Sequence, residues 1–572
     1  MNEIYFIIKY LPTKLRLNLF LVLFLSLANS ILEVVGIGML IPLFEIVRNF
    51  DNFSSYLVNN FNFLNFIKNF DQIEILKFSL IFFLLILFIK YLNYLYLNRI
   101  AINFSAKVKV FLSSRIFYFY SKKNYLFFKN KNSSLIIRDL LIEVTEFCDR
   151  FILSGLNLVI EFLIILFVAF FLLYKETTMV FILIIYLIPF CYLFFLFTKG
   201  KINKAASIRN QLDERKLFIL KNYLNNIKVI KTQNKELFFL DSFKKYIANF
   251  EFSFANFNFI QIISRPFFEF VGLLFIFLWI IFSINSENHL EDIFLSFSIL
   301  VAACIRVLPC INRVAYNWGQ LQFSKPSRKI IIHELNNTEE INESNFLYKK
   351  NTLTFNEIYL KNISFKYPNQ NNGLNIFSDL NLEIRKGEKI CLLGESGSGK
   401  TTLIEIISGL IKPTNGSIII DKNYIFDSTK ERFNLTYIPQ ELVLMDGSVA
   451  NNICLGEKVN QKKLKEALKL SLAENFLNNE LSFSDEVGEA GKKFSGGQRQ
   501  RINLARSFYE NSDFVVFDES VNAIDQKMKL ILVENIFSYF EKKTIIFALH
   551  DKSFLQKFDK VYELKNGQLQ KL

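Results

Sequence analysis

Residue types that announce metal or disulfide chemistry are thin in this 572-residue chain, which has six Cys and three His. None of Cys148, Cys191, Cys304, Cys310, Cys391 and Cys454 stands at a metal-ligand spacing, and several fall in apolar runs. They read as small buried hydrophobes, which argues against a zinc site or a disulfide scaffold. No cleavable signal peptide is evident: the first apolar run carries Glu33 and is long enough to span a membrane, so it is expected to be retained. Acidic residues are outnumbered, giving a net charge of +14. Such a balance suits nucleic acid or the positive-inside rule of membrane proteins. Lys and Arg cluster between apolar spans, which favours the second, and six spans exclude a nucleic-acid ATPase.

What is abundant is phenylalanine, 66 residues concentrated before about residue 300, in a chain that is 51% hydrophobic. Length and this asymmetry predict a membrane domain followed by a soluble one. A span needs about 20 mostly apolar residues. Six candidates meet this, at about 17–46, 73–97, 151–174, 178–198, 257–285 and 291–314. Only Lys175–Glu176–Thr177 separates the third from the fourth, which predicts a tight hairpin. The stretches 98–150 and 199–256 are rich in Lys and Arg, whereas Ser286–Asp292 has none. Both basic stretches and both chain ends are therefore expected in the cytoplasm. Their helices should run well past the bilayer, and turns near 121–134 and 222–234 are candidates to dock on the soluble domain. Between spans one and two, Asp51–Asn69 alternates Asn with aromatic and aliphatic residues. That pattern fits a helix lying on the outer surface, or an aromatic loop packed on its own spans.

Charges within spans are costly and are functional suspects. They are Glu33, Lys77, Lys90, Glu161, Arg265, Glu269, Arg306 and Arg313. Arg306 and Arg313, seven apart, share a helix face. Lys90, Arg265 and Arg306 each lie about 22–30 Å below the outer end of their span by helical rise. Three helices thus place a cation at similar depth, a belt suited to phosphate. Interhelix ion pairing, for example Arg265 with Glu269, or snorkelling accounts for the same residues.

The helical pattern is expected to end at Ser324–Lys325–Pro326, with a polar linker to about 350 and strands from Leu353. Gly394–Glu395–Ser396–Gly397–Ser398–Gly399–Lys400–Thr401 fits the phosphate-binding loop, after the apolar strand Lys389–Leu393 and before a helix at Thr402. Its glycines let backbone N–H groups converge on phosphate oxygens, Lys400 neutralises them, and the Thr401 hydroxyl faces Mg²⁺. Phe514–Glu519 is an apolar strand ending in two acids. Asp518 is placed to hold Mg²⁺ through water, and Glu519 to activate the attacking water. Ser495–Gly496–Gly497–Gln498 precedes an Arg-rich helix and offers a second phosphate-facing helix start.

This order of motifs resembles the ABC ATPase family, which sandwiches nucleotide between two copies. By that resemblance Tyr367 stacks on adenine, Gln440 links Mg²⁺ to the membrane domain, Asp485–Gly491 touches the coupling helices, and Asn522–Ala523–Ile524–Asp525 forms the D-loop. His550 is then the switch histidine on the γ phosphate. Phe494 stands where Leu is usual, Ser520–Val521–Asn522 where Ala-Thr-Ser is usual, and Asp551 where Arg is common. None of these removes a phosphate, metal or water contact. Six spans before this domain resemble an ABC exporter half-transporter. The fold class implied is a six-helix all-α transmembrane domain at 1–325, a linker at 326–352 and an α/β P-loop ATPase domain at 353–572. The cofactors implied are ATP and Mg²⁺.

Ile31–Leu32–Glu33, Leu40–Ile41–Pro42, Ile305–Arg306–Val307–Leu308–Pro309, Asn312–Arg313 and Arg265–Pro266 resemble bacterial lipid-linked oligosaccharide flippases of the PglK type. The resemblance implies the bacterial inner membrane, with the ATPase domain in the cytoplasm, and an apparently complete ATP site favours a homodimer over a heterodimer. Lys90, Arg265, Arg306 and Arg313 would receive a pyrophosphate-linked glycan head, and a surface helix at 51–69 its polyprenyl tail. Lys90 replaces an expected Arg, so paired donor geometry is lost there. Exporters of lipid A, drugs or peptides are the rival reading, although no N-terminal peptidase domain is evident. An ABC-derived channel or regulator is disfavoured by Lys400, Glu519 and His550.

Overall fold

The computed structural model describes residues 9–39, 71–175, 177–285, 290–337, 352–368, 375–428, 431–440, 444–477, 486–521, 524–550 and 554–572, with a few isolated positions besides. Among these, the side chains of 282–303 and of Arg306 lie outside the description, as do the residues of the expected surface helix at 51–69. The chain divides into two compact units. One comprises Met1–Lys122 and Lys131–Asn342, the other Lys123–Asn130 and Glu343–Leu572.

The first unit is helical. Its long elements are α1 (Thr13–Gly38), α2 (Gln72–Lys122), α3 (Ser154–Lys175), α4 (Thr177–Asn225), α5 (Glu236–Asn285) and α6 (Leu290–Phe323). Helices α2, α4 and α5 have 51, 49 and 50 residues. At about 1.5 Å per residue each is more than twice as long as a bilayer core is thick. The long basic extensions read from the sequence are therefore present as continuous helix. Among the described residues, five stretches are long and apolar enough to cross a membrane: Thr13–Gly36, Gln72–Lys122, Ser133–Phe171, Phe181–Asn225 and Glu236–Ile281. The sixth expected span, 291–314, falls within α6.

Aromatic side chains supply much of the packing. Phe194 of α4 stacks on Phe267 of α5 at 5.4 Å, and Phe257 of α5 on Phe323 of α6 at 4.1 Å. Gly272 lets α6 come close to α5, since a Cβ there would lie 2.6 Å from Leu308 Cδ1. All six cysteines are free thiols; five are buried and Cys191 is half-buried, as small hydrophobes should be.

One feature differs from the sequence reading and another adds to it. The expected linker begins with a helix, α7 (Lys325–Asn336), which belongs to the first unit. Pro326 sits in its first turn, where a missing N–H costs nothing, and Ser327, Ile331 and Leu335 form its buried stripe. A proline read as a stop is here a start. Part of the basic stretch 98–150, moreover, is buried within the first unit. Arg138–Glu143 and Phe147–Leu153 are π-helical, and Arg138, Asp139 and Glu143 are buried there. Arg209 of α4 lies 3.1 Å from both Glu143 and Glu146 and donates to Ser327 Oγ at 2.7 Å.

The second unit is built on a six-stranded sheet. Its strands are β3 (Lys389–Leu393), β5 (Leu435–Ile438), β6 (Phe514–Asp518), β7 (Thr544–Leu549), β8 (Lys560–Lys565) and β9 (Gln568–Lys571), in the order β9-β8-β3-β7-β6-β5. All neighbours are parallel except β8 and β9. Strands β6 and β7 are buried along their whole length, which is why they read as unbroken apolar runs. Alternate side chains feed two cores: Val515, Phe517, Ile545 and Phe547 on one face, Phe514, Val516 and Ile546 on the other. A second, antiparallel sheet carries β1 (Glu357–Phe365), β2 (Phe377–Arg385) and β4 (Asn415–Ile420).

Replacing Arg209 by Met would leave the fully buried Glu143 without its closest cation. Breaking one side of a buried pair costs about 3–5 kcal/mol. The detergent-solubilised variant should melt at a clearly lower temperature; an unchanged melting temperature would contradict a structural role for the pair.

Candidate active site

Sheet order decides where the chemistry gathers. Strands β3, β7, β6 and β5 are consecutive and parallel, so their carboxyl ends share one edge, the usual crevice of an open α/β sheet. The phosphate loop leaves β3, His550 follows β7, Asp518 and Glu519 end β6, and Gln440 follows β5.

The loop Gly394–Thr401 turns into α8 (Lys400–Ile407). Gly399, at φ +104°, occupies backbone space that disfavours other residues, and a Cβ there would meet Ile376 at 2.8 Å and Phe377 at 2.9 Å. A Cβ at Gly394 would press on Ser398 Oγ at 2.6 Å. Glu395, Ser396 and Gly397 form the exposed crest of the loop. Buried Lys400 folds back beneath it, donating to the carbonyls of Gly394 at 2.7 Å and Glu395 at 3.1 Å. Its ammonium lies 3.5 Å from Glu519 Oε1.

Thr401 Oγ1 donates to Asp518 Oδ1 at 3.3 Å, and the Tyr437 hydroxyl to Asp518 Oδ2 at 3.0 Å. Burial pushes the Asp518 carboxyl up from its ordinary range, while the bonds from Tyr437 and Thr401 pull it down. Glu519 sits at φ +51°, unusual for a residue with a side chain. That conformation accompanies a carboxylate clamped from two sides. Gln440 Nε2 donates to Oε2 at 2.6 Å, and His550 Nε2 lies 2.5 Å from Oε1. His550 Nδ1 lies 3.2 Å from the Gly394 carbonyl and 3.4 Å from Lys400 Nζ. The structure thus brings together Lys400, Thr401, Asp518, Glu519, Gln440 and His550, all read from the sequence.

Tyr367 packs edge-on against Phe365 at 4.9 Å, and its hydroxyl lies 3.2 Å from Thr402 Oγ1 and 3.4 Å from Glu405 Oε2. Two contributors were not singled out in the sequence, Tyr437 and Glu405. Burial pushes the Glu405 carboxyl up, against the pull of Lys129. An acid within the apolar helix after the phosphate loop is the signal that could have found it.

Ser495 caps α9 (Gly496–Glu510) in a reciprocal capping box with Gln498. Asp525 caps α10 (Gln526–Tyr539), accepting from Met528 N at 3.0 Å. Asn522, Ala523 and Asp551 lie outside the described residues. Among the described residues, no hydrogen bond or ion pair joins Ser495, Gly496, Gly497 or Gln498 to the phosphate loop or to the acids of β6.

The span charges divide. Asn29, Glu33, Lys90, Tyr91, Tyr94 and Arg313 line one cavity of about 330 Å³ in the helical unit. Lys90 pairs with Glu33 at 2.8 Å, and Arg313 with Glu161 at 2.5 Å. Asn29 is fully buried, with neither amide atom hydrogen-bonded. Arg265 is not among the cavity residues; its side chain is 77% exposed and bonds Glu269 at 2.7 Å. The Arg306 side chain lies outside the described residues. Every described cation of the expected belt is therefore matched by an acid.

The second-unit centre fits a magnesium nucleotide. Ser398 Oγ is buried without a hydrogen-bond partner inside a loop that a Cβ at Gly394 would crowd. Thr401 and Asp518 converge with oxygen donors of the kind Mg²⁺ takes.

Residues 377–522 match the ABC transporter family. Over 222 residues the chain is 35% identical to ABC transporter B family member 29, chloroplastic, of Arabidopsis thaliana, covering 38% of this chain and 35% of that protein. It is 33% identical over 218 residues to a putative multidrug export ATP-binding/permease protein of Staphylococcus aureus, 37% of each chain. It is 33% identical over 217 residues to the leukotoxin translocation ATP-binding protein LktB of a Pasteurella haemolytica-like species, 37% of this chain and 30% of that one. The aligned part spans about a third of the length of these relatives. Across 95% of the chain, the fold is that of a bacterial Atm1-family ABC exporter solved with ATP bound, with a TM-score of 0.73, 17% identity and 94% of that chain covered. In this chain, then, a helical unit with five stretches long and apolar enough to cross a membrane precedes a second unit that matches the ABC transporter family over residues 377–522 and whose centre fits ATP and Mg²⁺.

Glu519→Gln keeps a side chain of the same size between Gln440 and His550 but removes the base. Phosphate release should fall about 10²–10⁴-fold with nucleotide binding retained. Turnover within a few-fold of the parent would exclude Glu519 as the base.

Proposed function

We propose that this chain is one half of an ATP-driven exporter that pairs with a second copy of itself and moves an amphiphile with a charged, polar head across the bacterial inner membrane. The observation that carries the proposal is the assembled centre at the shared strand edge, joined in one chain to membrane-type helices with a charged cavity. Bound Mg-ATP would supply the phosphoanhydride to be cleaved. Lys400 would neutralise its terminal phosphates, and Thr401 and Asp518 would hold the metal. Glu519 would take the proton of the attacking water while Gln440 and His550 keep its carboxylate aimed. Ser495–Gln498 of one copy would close on the phosphate loop of the other, in keeping with its lack of contact to its own. The name of the Staphylococcus relative speaks of multidrug export and that of the Pasteurella-like relative of leukotoxin translocation.

The head group would meet Lys90, Arg313, Glu33 and Asn29 in the cavity. Because both cations already have acid partners, the cavity suits heads that offer donors as well as anionic oxygens. A polyprenyl-pyrophosphate glycan is the finer reading. Its phosphates would draw on Lys90 and Arg313, its hydroxyls on Asn29 and Glu33, and membrane lipid would keep its tail. Drugs, lipid A and peptides are the alternatives within the same mechanism.

In proteoliposomes, the double variant Lys90→Ala/Arg313→Ala should lose movement of a lipid-linked glycan and its stimulation of ATP turnover. Unstimulated hydrolysis, whose residues all lie in the second unit, should continue. Glycan movement at the parental rate would reject the cavity; failure of the parent itself to move a lipid-linked glycan, with transport of another amphiphile, would reject only the finer reading.

A further inference from the structure

The short helix Tyr125–Asn130 groups with the ATPase unit, although the chain on either side of it groups with the helical one. Leu126 packs against one of the ATPase cores. Lys129 Nζ donates to the Tyr367 hydroxyl at 2.9 Å and lies 4.7 Å from the centre of its ring. The same ammonium is 3.6 Å from Glu405 Oε2. Glu405 is 4% exposed and stands five residues beyond Lys400 on α8. A carboxylate buried on the helix that opens at the phosphate loop needs a counter-charge. Among the described residues, Lys129 is the cation within salt-bridge reach of it. The Tyr367 phenol is therefore held by Lys129, Thr402 and Glu405 together.

We propose that Lys129 is a positioning residue of the nucleotide site. With Glu405 it pins the Tyr367 phenol at its oxygen and so fixes the plane on which adenine stacks. This rests on the reading of Tyr367 as the adenine platform. A ring anchored at both ends has lost its swing before the nucleotide arrives, which lowers the cost of binding. By reciprocity, whatever unseats the helix 125–130 weakens ATP binding, and ATP binding seats that helix.

The test uses the full-length chain in detergent or nanodiscs. Lys129→Met removes the ammonium and keeps the stem. The KM for ATP should rise about three- to tenfold with kcat within about twofold, and Lys129→Arg should restore it. Tyr367→Phe probes the same contact from the other side, deleting only the hydroxyl, and should give a similar rise. The double variant should be no worse than the worse single one. Unchanged KM in Lys129→Met, or effects that add, would overturn the proposal. Tyr367→Ala separates the two readings. Weakened ATP binding there beside an unaffected Lys129→Met sinks the Lys129 role alone, whereas unweakened binding sinks the platform and the Lys129 role together.

Discussion

Everything chemical in this protein depends on four parallel strands being neighbours. Because β3, β7, β6 and β5 run the same way side by side, residues 394–401, 550, 518–519 and 440 arrive at one edge without any loop having to travel. The sheet is held by apolar side chains packed into a core on each face, so a one-residue slip would force each core to accommodate the other's side chains. That rigidity lets Glu519 keep a left-handed backbone and lets two partners hold its carboxylate within 2.5 and 2.6 Å.

A second regularity is that buried charge comes in matched sets. Lys400 faces Glu519, Lys129 faces Glu405, Arg209 faces Glu143, Lys90 faces Glu33 and Arg313 faces Glu161. In low-dielectric surroundings a lone ion is too expensive to keep, so each cation carries its acid with it. The helical cavity is accordingly not a bare cationic trap. Under the proposed function, a head group entering it would exchange with Glu33 and Glu161 for Lys90 and Arg313, which would favour ligands able to replace an ion pair over those that merely carry negative charge.

Much of this was legible in the chain before any coordinate. The phosphate loop, the acids of β6, Gln440 and His550 declare themselves because their roles are local: a glycine spacing, an apolar strand with acids at its end. The long helices declare themselves by apolar length. What the sequence hid depends on three-dimensional company. Pro326 starts a helix because Ile331 and Leu335 have a surface to cover. Arg138 is buried in company with Asp139 and Glu214, which pair with it. Among the described residues, Lys90 and Arg313 of the expected belt resolved into pairs because Glu33 and Glu161 lie across from them, a proximity that spacing along one helix cannot reveal. Lys129 looked like one more surface lysine until its partner, 238 positions away, was located.

The central claim is that this centre is complete in every respect but one, the helix start at Ser495, and that a second copy supplies it. Two dead chains test this directly: one lacking Lys400 (Lys400→Ala), the other with its helix start blocked (Ser495→Arg). Each alone should hydrolyse no ATP. Co-assembled, they form a mixed pair with one intact site, and turnover should return. If mixing restores nothing while mixed pairs are demonstrably formed, the site is not shared between copies and the account is wrong.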